Sequence, residues 1–214
     1  MAASPLPPQS SSEQARTPAV TEPVAADAAR RIALQMLQER GRGAVLVGVA
    51  RVDAALERLL QALLLPTAGR NDSLFQADRP LGSFGARIGL AHRLGLIETP
   101  VERALHTLRR VRNAFAHSSD SASLADPAHA GRLAQAYQDG RANPLWAPLE
   151  SVLSKAGGGG EPPVDPTLRD YILLITILVA FLEAAAQQLK PQPPAVVMGF
   201  SGLQPPSSGL QPHS

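Results

Sequence analysis

The sequence predicts an all-α fold, a single bundle of about five main helices between two disordered tails. Three observations carry this. Of the 214 residues, 44% are hydrophobic but only 4% aromatic, so the core must be built mainly from Leu, Ala, Val and Ile. Long stretches place apolar residues three and four apart. No stretch combines strict alternation with hairpin turn residues. Residues 1–23 and 191–214 are rich in Pro, Ser, Ala and Gly; they carry too little apolar surface to offset the entropy of ordering and are expected to be disordered. The remainder, 24–190, reads as one helical domain.

Its first helix, "VAADAARRIALQMLQER", carries Ile32, Leu34, Met36 and Leu37 and ends at Gly41. A longer one follows in "GAVLVGVARVDAALERLLQALLL", with Val45, Val49, Val52, Leu56, Leu59 and Leu63 on one face, closed by Pro66. After a Pro-Leu-Gly break comes a helix from about Ser83 to Leu94, with Ser83 as N-cap and Gly95 as terminator. The next begins at "TPVE", where Thr99 is expected to cap, Pro100 fills the first turn and Glu102 has the capping-box spacing. Residues 118–165 contain "GGGG" and are expected to form a flexible insertion, with room for short helices at "PAHAGRLAQAYQD" and around Trp146. Asp165 and Pro166 then open a last helix that runs to about Leu189. Its "YILLITILVAFLEAAA" has about a dozen uninterrupted apolar residues where a membrane span needs about twenty, so it is expected to be a core helix.

Several function classes are excluded or weakened. With no cysteine there is no disulfide framework, thiolate metal site or cysteine nucleophile. The five histidines show no paired metal spacing, and neither metal nor cofactor is expected. The net charge of +2 is weak grounds for a nucleic-acid partner. The N-terminus has no apolar run able to act as a secretory signal, so export is not expected.

The informative stretch is "LRRVRNAFAHSSD", Leu108 to Asp120. On a helical wheel Val101, Ala104, Leu105, Leu108, Val111 and Phe115 share one stripe, the expected core face. His106, Arg110, Asn113 and His117 fall opposite, four, three and four residues apart, as a polar row. Arg112 falls near the middle of the apolar stripe and is expected to be buried or half-buried against a carboxylate or carbonyl. Arg109 and Arg110 read as a solvated face or a phosphate track, and Arg87 and His92 as surface or packing residues. The segment from Pro80 to Phe84, with Gly82 and Gly85, reads as a turn and cap.

"LFQADRPLGSFGARIGLAHRLGLIETPVERALHTLRRVRNAFAH", Leu74 to His117, resembles the signature region of the mannitol operon repressor (MltR) family, in which a "PLGSF-x-A-[RK]-I" element precedes a helix ending in "R-N-x-F-A-H". It spans about a fifth of the chain. The resemblance implies a cytoplasmic, all-helical bacterial transcriptional regulator with no membrane partner, associated with repression of a sugar-alcohol operon. No helix-turn-helix with a basic recognition helix is evident, so action through a protein partner or homodimer is expected rather than direct DNA binding, with His106, Arg109 and Arg110 as candidate binding residues.

The same ending also resembles the motif of HEPN-domain ribonucleases, an Arg, often followed by a polar residue, and then a His after four to six intervening residues. Arg112, Asn113 and His117 fill these places. That resemblance implies metal-independent RNA cleavage, His117 moving a proton and Arg112 stabilising phosphate charge. In one continuous helix the two side chains lie about 140° apart, so such a site requires either fraying near Ala116 or a second copy of the chain.

Overall fold

A computed structural model describes residues 22–39, 41–67, 72–117, 122–156 and 164–191, and the pairs 198–199 and 202–203. Seven α-helices account for most of them: α1 Glu22–Met36, α2 Arg42–Leu63, α3 Phe84–Arg93, α4 Thr99–His117, α5 Pro127–Arg141, α6 Trp146–Ala156 and α7 Pro166–Gln188, with one 3-10 turn at Ser73–Phe75. The fold is all-α. Met198–Gly199 pairs antiparallel with Gly202–Leu203, a two-residue ladder in the segment expected to be a tail. The rest of that tail from 192, and residues 1–21, lie outside the described residues.

Helix α7 is the centre of the bundle. Asp165 caps it by accepting from the amides of Thr167 (2.9 Å) and Leu168 (3.0 Å), and Pro166 fills the first turn. An unbroken run from Asp170 to Ala180 is buried, because α1, α2, α5 and α6 all pack on this helix. The continuous apolar run is thus a core helix; among the described residues no helix is long and apolar enough to cross a membrane.

In α2 the expected face from Val45 to Leu59 is buried, while Leu63, at the helix end, is half-buried. In α1, Ile32 and Met36 are buried but Leu34 is 37% exposed, since it lies on the side turned from α7.

Residues 118–165 differ from expectation. Both stretches with room for short helices form full ones, α5 and α6, and these bring the total above the expected five. Their apolar residues are sparse but consistently placed: Leu133 and Tyr137 on α5 and Trp146, Leu149 and Leu153 on α6 are buried, and His129 lies against Phe115 with ring centroids 5.0 Å apart. The four-glycine run lies outside the described residues.

The elements that place the site are α2, α3 and α4. Ser83 caps α3, its hydroxyl accepting from the Ala86 amide at 3.2 Å. Gly95, at φ 70°, supplies the left-handed residue that ends this helix. The cap of α4 is one residue earlier than expected: the Glu98 carbonyl accepts from the Glu102 amide (3.0 Å), while the Thr99 hydroxyl lies 3.3 Å from His92 Nε2. Ala104, Leu105, Leu108, Val111 and Phe115 are buried, which is the expected stripe from its second turn onward; Val101 is half-buried.

Candidate functional site

The two halves of the signature region line one cleft. Its volume is about 460 Å³, and its wall is made by Val49, Ala50, Asp53, Ala54 and Glu57 of α2, by the turn Gly82–Gly85 with Arg87, and by Arg109, Arg112 and Asn113 of α4. The turn is held tightly: the Leu81 amide donates to Leu74 O (2.9 Å) and the Gly82 amide to Arg79 O (2.9 Å). A Cβ on Gly82 would stand 2.1 Å from the Gln76 carbonyl oxygen, so the backbone approach there admits only glycine.

Arg87 anchors the floor. It is 7% exposed, and its guanidinium donates to Asp53 Oδ1 (2.6 Å), Leu81 O (2.8 Å) and Phe75 O (3.4 Å), forms an ion pair with Glu57 Oε2 (2.9 Å), and lies over the Phe75 ring. This buried arginine is therefore fully satisfied, and it fastens α3 to one helical turn of α2. The reading of Arg87 as a packing residue understated it. Asp53 and Glu57, at i and i+4 beside the apolar face of α2, were the signal that a buried cation must come from a neighbouring element.

Arg112 is not the buried arginine. It is exposed, lines the cleft and donates to Asn113 Oδ1 at 3.2 Å. The helical wheel places it in the stripe, but it stands at the wall of the cleft that Ala50 and Ala54 of α2 also line, and its side chain is exposed.

Arg109 is half-buried, not a solvated surface residue. Its guanidinium lies over Gly85, about 3.6–3.7 Å from where a Cβ would stand, and its Nε is buried without a hydrogen-bond partner. Among the described residues, no carboxylate forms an ion pair with Arg109 or Arg112.

The expected polar row is split. Asn113 turns to the cleft with Arg112, while Arg110 and His117 are exposed elsewhere on α4. His106 is half-buried, with Nε2 4.0 Å from Glu102 Oε1. Burial lowers its pKa, helped by the neighbouring Arg109 and Arg110 guanidiniums and opposed by Glu102. Glu102 Oε2 also lies 3.4 Å from His92 Nδ1. Helix α4 continues without a break through His117, and the Arg42 guanidinium donates to the Ala116 carbonyl at 3.2 Å, so the helix does not fray there. Arg112 and His117 of one chain therefore remain on different sides of the helix.

No family model, curated protein or solved structure matches this chain. What the cleft can do follows from its chemistry. Three guanidiniums face two carboxylates, a surplus of one positive charge, and the two carboxylates are already engaged by Arg87. Arg109, Arg112 and the Asn113 amide are left to donate, as are the Phe84 and Gly85 amides in the first turn of α3, which have no partner within the helix.

Proposed function

We propose that the protein is a transcriptional regulator of the mannitol-repressor type that acts through contact with another protein and not by reading bases. One observation supports this most: the "PLGSF-x-A-R-I" and "R-N-x-F-A-H" elements, distant in sequence, line a single cleft. A signature that converges on one open cleft, with charged groups left over after the structural contacts are made, is what a recognition site requires. Mixed charge along the cleft, with Asp53 and Glu57 beside the arginines, does not suit a duplex backbone. Deleting the gene in its source organism should raise a small set of transcripts, restored by the wild type and not by Arg112→Glu. Unchanged transcripts in the deletion strain would overturn the reading.

A second reading is a HEPN-like endoribonuclease. Its support is that Arg112 and His117 are both exposed, with Arg112 next to Asn113, and so are open to a substrate or a second copy. Because one continuous helix holds them apart, such a site needs His117 from one copy and Arg112 from another. Incubation with a mixed RNA pool distinguishes the two: cleavage by the wild type that is lost in both Arg112→Ala and His117→Ala supports the nuclease, and no cleavage by the wild type removes it.

A further inference from the structure

We propose that the cleft between α2, the Gly82–Gly85 turn and α4 is a binding site for a small phosphate monoester, gripped at its phosphate end by Arg109 and Arg112. The proposal deepens the reading of this cleft as a recognition site by naming the ligand class.

Three features converge. The first is charge: Arg109 and Arg112 face the same cleft and neither has a carboxylate partner among the described residues. An arginine held half-buried without a counter-anion is costly, and an anion in the cleft removes that cost. The second is the buried Nε of Arg109, which makes no hydrogen bond. Leaving such a donor unmade opposes folding, and a small shift of the side chain onto a bound oxyanion would satisfy it. The third is the start of α3. The absent side chain of Gly85 lets Arg109 lie close over the first turn, so the guanidinium and the orphan amides of Phe84 and Gly85 border the same space. Helix N-terminal amides favour anions, and a nearby guanidinium adds charge to the same point.

The other end of the cleft narrows the class. Asp53 and Glu57 each give one oxygen to Arg87 and are about 30% exposed; the other Glu57 oxygen accepts from Gln61 Nε2 (3.3 Å), so Asp53 carries most of the acceptor capacity left toward the cleft. Carboxylates repel a second anionic group and accept from hydroxyl or amino groups. The ligand is thus an anion at one end and a hydrogen-bond donor at the other. A volume near 460 Å³ suits a small metabolite, not a polymer backbone.

The test is titration calorimetry and thermal melting of the full chain with inorganic phosphate and with glycerol 3-phosphate, against sodium chloride at matched ionic strength. The expected result is saturable binding of both phosphates, tighter for the monoester, and none for chloride. Arg112→Gln, an exposed position, should weaken binding about tenfold or more, the size of one charge-assisted hydrogen bond. Gly85→Asp is a second variant: a carboxylate in the first turn of α3 suits the helix and sits under Arg109, so the protein should stay folded and bind phosphate poorly. No saturable binding by the wild type overturns the proposal, as does equal binding by all three proteins. Binding of single-stranded RNA that neither phosphate displaces also overturns it. None of these readouts depends on transcription, so the ligand and the regulatory role can fail separately.

Discussion

Replacing Arg87 by Met should destabilise the protein by about 3 kcal/mol, more than any exposed arginine change. The side chain is 8% exposed and holds two carboxylates and two backbone carbonyls. Removing one member of a buried ion pair costs about 3–5 kcal/mol, because the charge left behind is unpaired. Asp53 and Glu57 are 30% and 31% exposed, so water recovers part of that loss and the lower end of the range applies. For a chain of this size about 3 kcal/mol corresponds to a melting point lower by roughly 6–12 °C. Arg87→Lys keeps a charge but not the fork that reaches four acceptors, and should recover about half of the loss. Urea unfolding with thermal melting measures both. If Arg87→Met unfolds within about 0.5 kcal/mol of wild type, the size of an ordinary surface change, then Arg87 does not fasten α3 to α2 and the description of the cleft floor is wrong.

Gly82→Ala should cost about 2 kcal/mol or more and disturb phosphate binding, since its Cβ would meet the Gln76 carbonyl at 2.1 Å; urea midpoints and calorimetry check both. Asp165→Ala removes two cap hydrogen bonds from α7 and should cost about 1 kcal/mol in the same unfolding assay. His106 titrates lower in the folded protein than its ordinary 6.5, so the unfolded chain binds the proton more tightly. Its contribution to stability is therefore complete above about pH 6.5 and lost as pH falls through the lowered folded value. His106→Gln should show a shallower fall in urea midpoint between neutral and mildly acidic pH; an unchanged fall would place the titrating group elsewhere.

Features determined by local chemistry were legible in the sequence, and those determined by what lies opposite were not. Ser83 and the Asp165–Pro166 pair announce helix starts because a cap needs only its own next three residues. The α4 stripe was legible for the same reason, its period being a property of one segment. Thr99 misled because Glu98 takes the cap position and His92, from α3, lies against its hydroxyl. Helices α5 and α6 were hard to see because glycine, alanine and proline dilute their apolar pattern, and their stability comes from docking on neighbours distant in sequence, α5 on α4 and α7 and α6 on α1 and α7. The arginines show the limit most clearly. Arg112 lies on the apolar side of its wheel and Arg87 does not stand out, yet the second is buried against Asp53 and Glu57 of α2 while the first stands exposed at the cleft wall.

Among the described residues Arg109 and Arg112 line one cleft without a carboxylate partner, and both are proposed to hold the same anion. Arginine side-chain Nε–H resonances, followed by NMR during a titration with inorganic phosphate and assigned through Arg→Lys variants, test it directly. The signals of Arg109 and Arg112 should move together along one saturation curve, while those of Arg58 and Arg141, paired with Glu183 and Asp170, stay in place. Equal small shifts across all arginines, or none at Arg109, would contradict the account.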